Sequence, residues 1–193
     1  MRVAAAQRIM IVAGACAAAL VGLVLSESAA RKSGVEIRLP IEAVDPRALL
    51  SGHYVLVSPT QRLAPPDTCP LDGDWKWVAL RRRGDIHVVA GGATSRDQAE
   101  LLGPLALRGT FSCAEPSAAL EDAPAQPGWI RLHVGADRFH TDQAAALRIE
   151  AILREQAPNA ETRAFALMSV GRDGRARLVG LEIHGERIEL RWP

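Results

Sequence analysis

The stretch VDPRALLSGHYVLVS, Val44 to Ser58, brings a carboxylate (Asp45), a guanidinium (Arg47), an imidazole (His53) and a phenol (Tyr54) into a short span of chain. Two kinds of chemistry follow from those types. Asp45, Arg47 and His53 could be assembled into a hydrolytic site. Alternatively, the four residues form a binding edge facing a partner protein or peptide. A plainer reading competes with both. Pro46 fixes its own φ and pushes the residue before it away from helix, so Asp45-Pro46-Arg47 reads as a turn. There Asp45 caps the turn, Arg47 pairs locally, Gly52 permits a positive φ or a bulge, and Tyr54 plants the next strand on the core. Turn chemistry alone demands these residue types, so scaffolding is the first expectation for them.

The other reactive side chains are scattered. His53, His87, His133, His140 and His184 include no pair at metal-ligand spacing, so neither a metal nor a cofactor is expected. Lys32 and Lys76 are the only lysines, which leaves a Ser-Lys dyad or a Schiff base almost no candidates; Ser58 with Lys76 lacks the expected context. Asp137 and Asp142 bracket Phe139, and Asp142 is explained as charge at a helix start. Arg81-Arg82-Arg83 sits on an expected hairpin tip, either solvated or touching lipid headgroups. Of the three cysteines, Cys16 lies in an apolar run, and Cys69 and Cys113 remain as a candidate disulfide pair. A net charge of +1 gives no electrostatic case for nucleic acid.

These residues must be held by a chain of 193 residues, 48% of them hydrophobic, enough for a packed core. Ile9 to Leu25, IMIVAGACAAALVGLVL, is an unbroken apolar or small run after Arg2 and Arg8. At 1.5 Å per residue it spans about 25 Å, just under a hydrocarbon core of about 30 Å. A cleaved signal peptide ending in SESAA and an uncleaved anchor both fit; the run exceeds a usual signal core, which favours the anchor. The expected division is residues 1–32 as the N-terminal membrane segment and 33–193 as an exported β-rich domain, either one body or two lobes joined near 113–128.

Within that domain, Val35 to Ile41 reads as a strand broken by Pro40, and Tyr54 to Ser58 as a second. Trp75–Leu80 and Ile86–Ala90 form a hairpin about Gly84-Asp85. Leu105–Ser112 and Trp129–Val134 are further strands. GGATSRDQAELLG is ambiguous between loop and short helix. The one convincing soluble helix runs over about 141–156, with Ala145, Ile149, Ile152 and Leu153 as its apolar stripe. The C-terminus reads as a three-stranded meander with one apolar face, turning at Asp173-Gly174 and His184-Gly185. The expected fold class is therefore mainly β (α+β), with an N-terminal transmembrane helix and one packing helix.

An apolar anchor followed by SGVEIRLPIEAVDPRALLSGHYVLV resembles the GDYXXLXY family of bacterial membrane-anchored proteins. GADRFHTDQAAALRIE (135–150) and GRARLVGLEIHG (174–185) extend the resemblance along most of the chain. Gly52 and Tyr54 keep the name-giving motif; His53 stands for its Asp, Val57 for its Leu and Pro59 for its last Tyr. An acid's role there does not carry over to His53. The resemblance implies a place in the cell and a fold rather than an activity. Together these readings point to a single-pass protein of the cytoplasmic membrane with an extracytoplasmic C-terminal domain. It is expected to act as a non-catalytic accessory or interaction protein on a membrane-protein or envelope partner. The alternative is a membrane-tethered hydrolase built around Asp45, Arg47 and His53.

Overall fold

The computed structural model describes residues 2–43, 54–63, 67–117, 126–136, 138–140, 148–149, 151 and 164–189. The chain opens with α1, Arg2–Ser33. Its stretch Gln7–Ser33 is long and apolar enough to cross a membrane, and no other part of the fold covers its apolar window. Only Gly34 separates α1 from β1, Val35–Ala43. A Cβ at Gly34 would collide with Ser169 and Val170, so glycine lets the helix end lie directly on the sheet.

Among the described residues, eight strands form one antiparallel sheet. These are β1, β2 (Tyr54–Leu63), β6 (Thr110–Ala114), β7 (Gly128–His133), β8 (Arg138–His140), β9 (Ala164–Val170), β10 (Ala176–Ile183) and β11 (Glu186–Glu189). The order is β11-β10-β9-β1-β2-β7-β6, with β8 also on β2. A second sheet, β4-β3-β5, comprises β3 (Trp77–Arg83), β4 (Ile86–Ala93) and β5 (Leu105–Arg108). A short helix, α2 (Arg96–Leu102), precedes β5; the Ser95 hydroxyl caps it by accepting from the Gln98 N–H. The small sheet lies on the large one. Val78, Leu80, Val89 and Leu107 pack with Ile37, Leu39, Ile41 and Met168 into one core.

Several sequence expectations are corrected by long-range pairing. β1 is not broken at Pro40: Val35–Pro40 pair with β9 and Ile41–Ala43 with β2. The proline sits where the strand exchanges partners, so its missing N–H is tolerated. Leu105–Ser112 is not one strand but two, in different sheets. The change of sheet occurs at Gly109, whose φ of +154° and close approach to the His133 carbonyl exclude a side chain. The C-terminal three-strand run is present, with turns at the expected places, but lacks a single apolar face. Leu167 and Met168 are both buried because β9 is interior to the sheet. A register shift between Leu178 and Gly180 puts Ala176 and Leu178 in the same core as Leu181 and Ile183.

The 113–128 connector joins β6 and β7, which pair directly, Ala114 opposite Trp129. β7 and β8 both run along β2, interrupted near Gly135. Of the expected helix at about 141–156, residues 148, 149 and 151 are described; they are helical, and Ile149 is buried in the core. The remainder lies outside the described residues.

Candidate functional site

Asp45, Arg47 and His53 lie outside the described residues. Tyr54 opens β2 directly opposite His140 in β8. Asp137 and Asp142 are also outside the described residues. The described histidines are separated: His87 is on β4, His133 contacts Ser112, and His184 holds the β10–β11 turn. Among the described residues no group of three or more His, Cys, Asp or Glu could hold a metal ion.

Two other constellations are assembled by the fold. The first is a cleft of about 290 Å³ between the two sheets. Leu63, Val89, Ala90 and Ile130 form its apolar wall, and Gln61, Asp67, Arg81 and Arg83 bring polar groups to it. Gln61 is nearly buried and its Oε1 accepts from the Val89 N–H at 2.9 Å, stitching β2 to β4. Cys69 and Cys113 are joined by a disulfide with Cα atoms 5.8 Å apart, tying the loop at the cleft's edge to β6. The same loop is held twice more. The Cys69 N–H donates to Glu115 at 2.8 Å, and Arg83 donates to both oxygens of Asp67 at 2.6 and 2.8 Å. The Asp67 carboxylate raises the pKa of Arg83. The Arg83 charge is met by Asp67, and Arg81 brings a second guanidinium to the cleft wall. Asp67, the acid of the cleft, is engaged by Arg83 as a structural partner.

The second constellation joins α1 to the large sheet. Arg177, in the apolar run of β10, is buried. Its Nε donates to Glu27 at 2.6 Å, its Nη2 to Asp173 at 2.9 Å and its Nη1 to the Arg175 carbonyl at 3.3 Å. Hydrogen bonding from Arg177 pulls the Asp173 pKa down to about 2. Neither constellation was singled out in the sequence. Signals existed for the second: Glu27 is the first acid of the chain, immediately past an apolar run, and Arg177 is a charge inside an apolar strand.

A third contact closes the sheets on each other. The Arg38 N–H donates to His87 Nδ1 at 3.3 Å, while the Arg38 guanidinium pairs with Glu182 at 2.6 Å and lies 3.6 Å over the Phe165 ring. Burial, and then the nearby Arg82 charge, lower the His87 pKa, which keeps the imidazole neutral and able to accept.

The molecule so defined is an α+β protein in which an uncovered apolar helix runs straight into the central region of a large antiparallel sheet. The chain belongs to the GDYXXLXY family, whose model matches residues 16–181, from the middle of α1 to β10. No curated protein and no solved structure matches it significantly.

Proposed function

We propose that this chain is a single-pass, membrane-anchored protein whose β-rich domain stands outside the cytoplasmic membrane as an accessory or interaction module. The observation that carries the reading is the Glu27–Arg177 pair. Cleavage at the small residues after Ser28 would discard a partner of a buried arginine, which argues for a retained helix. Arg2 and Arg8 on the short N-terminal side favour a cytoplasmic N-terminus. With Gly34 as the whole connection and Glu27 pinned, the domain has little freedom to swing about its anchor. That suits docking at a set height on a membrane or envelope partner. The acid of the cleft, Asp67, is held by Arg83, which favours binding over acid–base chemistry there.

Fractionation of cells expressing the full chain, with a carbonate wash, tests the anchor. The intact chain should stay with the membranes, and protease added to spheroplasts should digest the domain from outside. A soluble chain beginning near Ala29 or Arg31 would refute retention. In-membrane crosslinking should then yield a recurrent envelope partner. Turnover of ester or peptide substrates that is abolished by His53→Ala would replace the interaction reading with the hydrolase.

A further inference from the structure

β1 begins at Val35, opposite Val170 at the end of β9. Because the two strands are antiparallel, chain leaving β9 continues past the start of β1 and back alongside the end of α1. The turn it makes is closed by the Gly174 N–H to the Gly171 carbonyl at 2.9 Å and the Gly171 N–H to the Arg175 carbonyl at 3.1 Å. Arg177 fixes this turn to Glu27 through Asp173. Glu27 is two residues beyond Leu25, a rise of about 3 Å, whereas the headgroup layer of a leaflet is about 5–8 Å thick. A span ending at Leu25 therefore puts the turn within the headgroup layer. The apolar run, at about 25 Å, is slightly short for the bilayer, which draws the turn inward rather than away.

The turn is basic. Arg172 and Arg175 flank Asp173 and are exposed, and neither side chain has a partner among the described residues. Lys32 is exposed at the end of α1. The neighbouring acids Glu27 and Asp173 are engaged by Arg177, and Glu100 by Arg96, whose Nη1 also donates to the Arg172 carbonyl at 2.6 Å. Trp77 packs against Gly174 at the tip, with the Arg108 guanidinium 5.2 Å from its ring. Arg81-Arg82-Arg83, the run first read as the lipid-touching one, lies at the other end of β3, up to about 20 Å along the strand from Trp77.

We propose that the β9–β10 turn is a lipid-docking surface in which Arg172 and Arg175 bind the phosphates of anionic lipids. This rests on the anchored reading above. Guanidinium groups suit the role because they donate bidentately to phosphate oxygens. Docking would fix the height and tilt of the whole domain, since the turn and the helix end are one unit through Arg177.

The test uses the full chain in nanodiscs of phosphatidylcholine alone or of phosphatidylcholine with phosphatidylglycerol, with hydrogen exchange read at residues 172–175. In anionic discs exchange should slow by on the order of tenfold, and high salt should restore it. The double variant Arg172→Gln/Arg175→Gln should remove the slowing, while Arg81→Gln/Arg82→Gln should leave it. Equal exchange in both discs, or slowing that the first double variant retains, overturns the proposal. Slowing by inorganic phosphate in neutral discs would assign an ion site and also overturn it. Retention of the intact chain in neutral discs reports the anchor independently. A chain retained in both discs with equal exchange sinks the lipid surface alone; a chain retained in neither sinks both readings.

Discussion

Removing the Glu27–Arg177–Asp173 junction should destabilise the β-rich domain by an amount that separates the helix contribution from the sheet's own. The Arg177 side chain is 8% exposed, whereas Glu27 and Asp173 are 45% and 43% exposed. Arg177→Ala therefore loses two charge-assisted pairs and the packing of its aliphatic stem, but the stranded carboxylates can rehydrate. Two pairs at about 1 kcal/mol each, after allowance for screening, and about 1 kcal/mol of packing give a cost of about 3 kcal/mol. Arg177→Met keeps the stem and should cost about 1–2 kcal/mol. Glu27→Gln touches only the helix side and should cost about 1 kcal/mol. All four tryptophans lie beyond α1, so urea unfolding of the full chain in mild detergent, followed by tryptophan fluorescence, reads the β-rich domain. A cycle combining Glu27→Gln with Arg177→Met should show a coupling of about 1 kcal/mol. If Glu27→Gln changes nothing and the coupling is below about 0.3 kcal/mol, the helix is not tied to the sheet and the fixed-height reasoning falls.

Opening the Cys69–Cys113 bridge, which closes a separation of 44 residues containing the whole small sheet, should cost about 4 kcal/mol in the chain-entropy account. Denaturation of Cys69→Ser/Cys113→Ser against the oxidised chain measures it, and equal midpoints would contradict it. Gly109→Ala should cost about 3 kcal/mol, because the added Cβ meets the His133 carbonyl at 2.6 Å in a backbone region that side chains avoid; an unchanged melting temperature would show that the sheet change tolerates a side chain. His87 is held below its ordinary value of 6.5, so the unfolded chain takes up a proton first and stability should fall as pH drops through 6.5. Asp173, depressed to about 2, contributes stability that is complete above about pH 5 and is lost only on further acidification, so it does not mask that window. His87→Asn, which can still accept from the Arg38 N–H, should flatten the decline, and an unaltered slope would reassign it.

What could be read from the chain is what short-range patterns encode. The apolar run makes α1, the Gly84-Asp85 turn makes the β3–β4 hairpin, and the period-two pattern with its two turns makes β9 to β11. What could not be read depends on partners far along the sequence. Pro40 looks like a strand breaker until β9 and β2 are both in place beside it. Val179 looks inward-facing by simple alternation with Leu181 and Ile183, but the shift beside Gly180 changes the phase and leaves Val179 half-exposed. Gln61, Asp67, Arg81 and Arg83 belong to three separate stretches, and only sheet-on-sheet packing makes them neighbours. Glu27 and Arg177 are 150 residues apart, a separation no local rule bridges.

That long separation bears on what α1 does for the fold. β1 is the strand to which both the C-terminal run and the β2 side of the sheet are attached, and it begins one residue after α1. A helix fixed in the membrane would hold the first central strand in place before β9 and β10 exist. β9 must then close on β1, and in closing it carries the Asp173 turn and Arg177 back to Glu27. Closure of β9 on β1 therefore brings the ion-pair junction together as it completes that part of the large sheet. If the order matters, in-membrane folding of Glu27→Gln should be slowed at β9–β1 closure, while the small sheet, bounded by its disulfide, forms at the wild-type rate. Pulsed hydrogen exchange resolves the two regions. Uniform slowing of both would show instead that the sheets fold as a single unit and that the anchor acts only on the finished domain.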